Sequence, residues 1–192
     1  VSMANIVATI NNSLAILISS ASVVHLKFAT QLQTFPVSLF GLSMASALLP
    51  TLSKETDVKD QQKFKQTLIT TFHQTMFLVI PISIILLILR VPVVRIVYGV
   101  SNFPWESTVK TSYALAFFSL SIFAQSANYL LTRAFYALKN TKTPVLINLT
   151  TVLLNVILTL TFVLYFKLGV WSIAFAYTIT TIIDMFLYFI FL

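Results

Sequence analysis

An all-helical polytopic membrane protein with six transmembrane helices is the fold class this sequence predicts, and three observations carry the prediction. Of 192 residues, 58% are hydrophobic and only 9% are charged, with a mean hydropathy of +0.93. A soluble domain carries about 25% charged residues because its outer shell faces water, so this chain cannot clothe a globule in polar side chains. The apolar residues come in runs of roughly 20, the length that crosses a hydrocarbon core about 30 Å thick. Charge clusters separate the runs.

The spans are expected at residues 3–24, 33–52, 67–89, 109–131, 144–166 and 169–191. Pro36 and Pro144 fall in the first turn of the second and fifth, where a missing amide hydrogen costs nothing. Pro81 lies inside the third and is expected to kink it, either as a moving part or as a structural bend. Residues 53–66, SKETDVKDQQKFKQ, form the most charged stretch. With Val58, Phe64 and Leu68 near helical spacing, they read equally as an interfacial helix or as a solvated connector. Residues 90–107 are too interrupted to cross, and their Tyr98, Phe103 and Trp105 suit a membrane-water boundary. On the second span Gly41 and Ala45 offer one close helix contact, which Val37 and Leu49 keep from becoming a seam.

Several functions are excluded by what is missing. Without cysteine there is no disulfide frame, thiol nucleophile or thiolate metal site. His25 and His73 stand far apart, and three glycines, at 41, 99 and 169, cannot cradle a phosphate. The net charge of +7 comes from twelve scattered basic residues rather than a stripe or tail, so nucleic acid is not an expected partner. On alternating loops, Lys54, Lys59, Lys63, Lys65, Arg133, Lys139 and Lys142 fall on one side. Lys27, Arg90, Arg95, Lys110 and Lys167 fall on the other. The richer side is expected to be cytoplasmic, which puts both ends of the segment there. No basic cleavable leader precedes the first span and no anchor follows FLYFIFL, so the sequence reads as a piece of a longer chain.

Polar residues within hydrocarbon are costly, which makes their placement informative. Asn148, Thr151, Asn155 and Thr159 share one face of the fifth span, and Ser121, Gln125, Asn128 and Thr132 share one face of the fourth. Asn5, Thr9 and Asn12 do so on the first, Tyr177, Thr181, Asp184 and Tyr188 on the sixth, and Thr67, Thr70 or Thr71, and Gln74 on the third. Such stripes either hydrogen-bond helix to helix or line a water-filled cavity; five in one small bundle favour a shared cavity. Asp184, the carboxylate inside a span, reads either as a coupling or substrate group or as a side chain reaching water. An intramembrane enzyme would need a nucleophile with a base, paired carboxylates or a metal cluster, and Glu55, Asp57 and Asp60 alternate with lysines as a solvated charge run does.

Specific strings then become recognisable. FATQLQTFPVSLFGLSMASALLPTLSKE (28–55) resembles the stretch of MurJ/MviN-type lipid II flippases that reads approximately YAxRLxxxPxGxFGxAxxTxxxPxLS. LAFFSLSIFAQ (115–125), RAFYALKNTKTPV (133–145) and LLNVILTL (153–160) follow in that family's order and spacing, and the FYAL-x-x-T-x-TP connector is the most specific of them. The family belongs to the multidrug, oligosaccharidyl-lipid and polysaccharide exporter superfamily, built from two six-helix lobes around a central cavity. The resemblance implies that residues 1–192 are the second, C-terminal lobe, without its N-terminal partner lobe.

The resemblance further implies alternating-access movement of an undecaprenyl-pyrophosphate-linked peptidoglycan precursor across the bacterial cytoplasmic membrane, among membrane lipids. It points to Lys27, Gln31, Thr34, Gln125, Asn128, Asn155 and Asp184 for substrate. Where the family carries Arg in its A-x-R-L string this chain has Gln31, and Thr34 stands at an often acidic or amide position. Gln31 donates hydrogen bonds without charge, and Lys27, one turn earlier, either compensates or anchors at the interface. No cofactor is implied beyond coupling to sodium or the membrane potential. The sodium positions match Asn11, Asn155, Thr159 and Thr178, with amide and hydroxyl where acids are expected at the first and third. The alternatives are a sister exporter of other polyprenyl-linked oligosaccharides and a membrane-embedded enzyme acting on polyprenyl phosphates.

Overall fold

The computed structural model describes residues 3–18, 20–55, 61–99 and 103–192, with side chains omitted at 3–8, 17, 18 and 20. Within these residues the chain is helical almost throughout: α1 (Met3–Ile18), α2 (Ser20–Pro36), α3 (Ser43–Lys54), α4 (Gln61–Ile88), α5 (Arg90–Tyr98), α6 (Trp105–Ala137), α7 (Lys142–Leu160) and α8 (Trp171–Phe191). Two π-helical segments, Val37–Leu42 and Thr161–Tyr165, continue α2 into α3 and extend α7. Five helices are long and apolar enough to cross a membrane: Ala21–Lys54, Gln61–Ile88, Trp105–Ala137, Lys142–Tyr165 and Trp171–Phe191. Among the described residues that is five spans where six are expected: the first expected span, 3–24, is instead the 16-residue α1 and the start of α2.

The first two expected spans are drawn differently by the structure. Residues 25–32, expected to lie outside the membrane, are helical, and the second span begins near residue 20 rather than 33. The stretch SASVVHLKFATQLQ holds no Gly or Pro, and its buried Ser22, His25, Leu26, Ala29 and Gln33 recur at helical spacing. Polarity at His25, Lys27 and Gln31 therefore marks a helix with a wet side, not a loop. Pro36 consequently ends α2 deep inside a continuous helix instead of opening one. The π-helical turn that follows widens the ladder where proline supplies no N–H and crowds the preceding carbonyl.

The later boundaries move by a few residues. α4 begins at Gln61, so the second half of the charged connector is its first turn, and Phe64 and Leu68 pack inward on Leu48, Leu52, Leu130 and Ala134. Val58 lies outside the described residues. α4 is helical straight through Pro81. α7 starts as expected: Asn140 Nδ2 donates to Thr143 Oγ1 at 2.9 Å, Thr143 N–H donates to Asn140 Oδ1 at 3.2 Å, and Pro144 occupies the first turn. Residues 90–98 form α5, whose Tyr98 stacks on Phe28 with centroids 4.2 Å apart.

α6 is the axle. Two-thirds of its membrane window is buried, against between a fifth and two-fifths for the other four spans, and α8, α4, α2, α3 and α5 all pack on it. Its buried Ala114, Ser119, Ser121, Ala124, Ser126, Ala127 and Ala134 let neighbouring backbones approach closely. Gly41 takes up that room, as a Cβ there would lie 2.9 Å from Ser126 Cβ. Outside, Phe77, Ile84, Ile88, Leu146, Leu153 and Ile157 are exposed on α4 and α7, an apolar belt suited to lipid tails.

Candidate functional site

Polar side chains within the helices divide into two sets. One set lies between the helices and bonds largely within itself. Gln33 Nε2 reaches Ser121 Oγ at 2.9 Å and Gln125 Oε1 at 2.8 Å, and Gln125 Nε2 donates to Tyr177 OH at 2.8 Å, tying α2, α6 and α8 together. Asn128 Nδ2 donates to the Thr181 carbonyl and to Asp184 Oδ2, both at 3.1 Å, while Thr151 Oγ1 approaches Asp184 Oδ1 at 3.2 Å. Asn155 Nδ2 donates to Thr180 Oγ1 at 3.1 Å, and Thr178 Oγ1 to the Phe117 carbonyl at 2.7 Å. On the other flank of α6, the Ser83 hydroxyl donates to the Ser119 carbonyl.

These contacts show that members of the stripes on the fourth, fifth and sixth spans bond to one another across helix pairs, while Gln125, Asn128, Asn148 and Asp184 are paired or packed only in part: Gln125, Asn128 and Asp184 stay half-buried. Each stripe faces the next across a helix pair, because a hydroxyl or amide in hydrocarbon gains most by finding a partner on a neighbouring helix. Gln125, Asn128, Asn155 and Asp184 thus take part in a network within the bundle, Asn155 buried and the other three half-buried, whereas Lys27, Gln31 and Thr34 are exposed on α2. Gln33, the buried hub of the network at 2% exposure, was not singled out from the sequence. Its signal was available: it continues the buried series Ser22, Leu26 and Ala29.

The second set is exposed. Lys27, Thr30, Gln31, Thr34, Ser38, Ser43 and Ser46 line one outer face of the helix running through α2, the π turn and α3. Its hydroxyls donate back along the helix: Thr30 to Leu26 O at 2.8 Å, Thr34 to Thr30 O at 2.7 Å, Ser38 to Thr34 O at 2.6 Å and Ser46 to Leu42 O at 2.8 Å. The hydroxyl proton is used, and the oxygen lone pairs remain for an outside donor. Gln31 is held the other way round. Tyr98 OH donates to Gln31 Oε1 at 3.1 Å, which leaves the Gln31 amide hydrogens as outward donors. Burial pushes the Tyr98 phenol up, so it keeps the proton it donates at neutral pH. On the first span, Thr9 and Asn12 are likewise exposed, while Asn5 lies outside the described side chains. On α4, Thr70 and Gln74 are exposed, and Gln74 borders a shallow apolar groove of about 630 Å³ beside Pro81.

A third cluster concerns the expected sodium positions. Asn11 Oδ1, Asn155 Oδ1 and Thr159 Oγ1 are buried oxygens without a hydrogen-bond partner, on α1 and α7, which pack together. The Asn155 amide is oriented by its bond to Thr180, so its oxygen is the free end. Thr178 instead donates to the Phe117 and Ala174 carbonyls. Orphaned oxygens of this type suit a hard monovalent cation, although no carboxylate stands among these four residues.

A family model described as "Lipid II flippase MurJ" matches residues 1–192. The probable lipid II flippase MurJ of Buchnera aphidicola subsp. Baizongia pistaciae is 28% identical over 95% of this chain and 34% of its own length. The lipid II flippase MurJ of Thermosipho africanus is 29% identical over 83% of the chain and 32% of its own length. A solved structure titled "Lipid II flippase MurJ, inward closed conformation" superposes with a TM-score of 0.83 at 28% identity, covering 96% of this chain and 40% of that one. The chain thus spans about a third of the length of the curated relatives it matches. With strings, fold and a family model over its whole length in agreement, this multi-pass membrane chain belongs to the lipid II flippase MurJ family.

Proposed function

We propose that residues 1–192 form the C-terminal lobe of a flippase that moves an undecaprenyl-pyrophosphate-linked peptidoglycan precursor from the inner to the outer leaflet of the bacterial cytoplasmic membrane. Both ends of the segment face the cytoplasm in this reading, and an N-terminal lobe closes the translocation path. The carrying observation is the polar outer face of α2 and α3, from Lys27 to Ser46, on a bundle whose α4 and α7 turn an apolar belt of Phe77, Ile84, Ile88, Leu146, Leu153 and Ile157 outward. A helix exposing lysine, glutamine and a run of hydroxyls toward lipid would be costly, so this face is turned to an aqueous path and the opposite lobe.

On that face, Lys27 supplies the positive charge for a pyrophosphate, and the Gln31 amide and the Thr34 and Ser38 oxygens supply hydrogen bonds for pyrophosphate and sugar. The work is transport and not bond-breaking chemistry. Alternating access needs the lobe to move as a unit, and the interior network of α2, α6, α7 and α8 favours such rigidity. Sodium, held by Asn11, Asn155 and Thr159 oxygens, would supply the coupling energy.

The test is leaflet accessibility of the precursor in depleted cells complemented with the full-length protein. Gln31→Arg restores a charge-bearing donor on the path and is expected to sustain or raise flipping, whereas Lys27→Ala lowers it. Complete loss in Gln31→Arg, with the protein present in the membrane at the parental level, would remove position 31 from the path. Turnover of a polyprenyl phosphate by the purified protein in detergent, with no second compartment, would move the reading to an enzyme.

A further inference from the structure

Asp184 is a carboxylate within a membrane-spanning helix, about two turns before the end of α8, where α6, α7 and α8 meet. Asn128 Nδ2 donates to Oδ2 at 3.1 Å and Thr151 Oγ1 approaches Oδ1 at 3.2 Å. The Thr151 hydroxyl also faces the Ile147 carbonyl at 3.1 Å and the Asn148 carbonyl at 3.2 Å, so its one proton is shared. Among the described residues no cation forms an ion pair with Asp184. Arg133 of α6 lies over the Tyr136 ring, 6.0 Å from its centroid, and Lys142 is exposed at the start of α7. From α8 itself the titratable neighbours are Tyr177 and Tyr188. α4 touches this end of α8 through Phe72 on Phe189, and its His73 is exposed.

An ionised carboxylate so placed lacks the countercharge that would offset its desolvation. Two neighbours lack something as well. Asn128 Oδ1 and the Tyr188 hydroxyl, on a side chain 1% exposed, are buried without a hydrogen-bond partner, and both can accept. A proton on Asp184 Oδ1 removes the charge and can be donated to the Thr151 oxygen, whose own proton then goes to the Ile147 carbonyl. A metal ion answers the geometry poorly, because the Asn128 amide hydrogens, not lone pairs, face Oδ2 and Thr151 offers one oxygen beside Oδ1.

We propose that Asp184 is a proton-binding site, cradled by Asn128 and Thr151, which takes a proton from water to form a carboxyl O–H and returns it on release. No electrons move, and no co-reactant beyond water and its ions is needed. Proton occupancy then sets how tightly α8 is tied to α6 and α7 at this level. The inference does not depend on the identity of the transported lipid.

The experiment is infrared difference spectroscopy of the full-length protein in lipid nanodiscs, stepped between about pH 9 and about pH 5. The expected result is a carboxylic C=O band that grows on acidification, is lost in Asp184→Asn and persists at a shifted frequency in Asp184→Glu. Thr151→Val removes a donor to the charged form and should raise the midpoint of the band by roughly 1 pH unit. Because Asp184→Asn could fail to fold, the Thr151→Val midpoint is an independent readout, and an unmoved midpoint there counts against the cradle. A band surviving in folded Asp184→Asn would overturn the proposal, as would sodium ions, added at constant pH, abolishing the band in the parent. Loss of lipid flipping with the band intact would instead count against the transport reading alone.

Discussion

Replacing Gly41 by Ala tests the axle role of α6 at its tightest point. A Cβ at position 41 would stand 2.7 Å from Ser126 Oγ, 2.9 Å from Ser126 Cβ and 3.0 Å from Ser126 Cα. Carbon atoms pack comfortably at about 3.5–4.0 Å, so the helix must retreat from α6 by roughly 0.6 Å or more. The nearest atoms belong partly to backbone, which cannot rotate away. Overpacking of this kind costs about 1–3 kcal/mol, and we expect about 2 kcal/mol here. Ser126→Ala should rescue little, since it removes an oxygen that has no hydrogen-bond partner and leaves the Cβ in place. Ser126→Gly in the Gly41→Ala background clears Cβ and Oγ together and should recover about 1 kcal/mol, even after the cost of a helical glycine. Reversible unfolding of the full-length protein in mixed detergent micelles reads these differences. A Gly41→Ala change within about 0.5 kcal/mol of the parent, or full rescue by Ser126→Ala, would refute the close approach.

Two further outcomes follow from local geometry. Lys139 ends α6 with φ 56°, while Asn140 N–H bonds to Phe135 O at 3.0 Å and Lys139 N–H to Tyr136 O at 3.0 Å, a Schellman arrangement whose left-handed position usually holds glycine. Lys139→Gly should stabilise the protein by about 0.5–1 kcal/mol, measured by the same unfolding assay. Thr159→Asp places a carboxylate one turn from Asn155 on α7, which packs against the α1 that carries Asn11, and should tighten sodium binding at least about tenfold, read by calorimetry on the full-length protein. No gain in affinity there would remove sodium from the reading of that cluster.

What the sequence could carry was decided by the range of the forces involved. The start of α7 was legible because Asn140, Thr143 and Pro144 settle it among themselves within one turn. The boundary between the first two spans was not. Polar His25, Lys27 and Gln31 look like a loop to a hydropathy window, and only packing against α6 shows that His25 is buried while Lys27 and Gln31 stand on the outer side of a helix. The polar stripes were legible as stripes, but not in destination. Spacing along one helix places Asn128 or Asn155 on a face; it does not say whether another helix, or water, covers that face.

That division of polar groups has a mechanical consequence. Interhelical hydrogen bonds in membranes contribute only about 0.6 kcal/mol each, so no single one holds the bundle. The network from Gln33 through Gln125 to Tyr177, and from Thr151 through Asp184 to Asn128, nevertheless joins four helices. Sliding any of them costs several such bonds at once and strands buried donors with no water to take them. The outer face of α2 and α3 shows the opposite economy. Its hydroxyls are satisfied within their own helix and owe nothing to a neighbour, so that face can meet a mobile headgroup, or part from an opposing lobe, without breaking a bond inside the bundle. In the transport proposed above, a lobe stiffened by one set of polar groups would move as a body while the other set exchanges partners. If substitution of Gln33 by Leu loosened the bundle yet left flipping unchanged, the stiffness would have no part in transport.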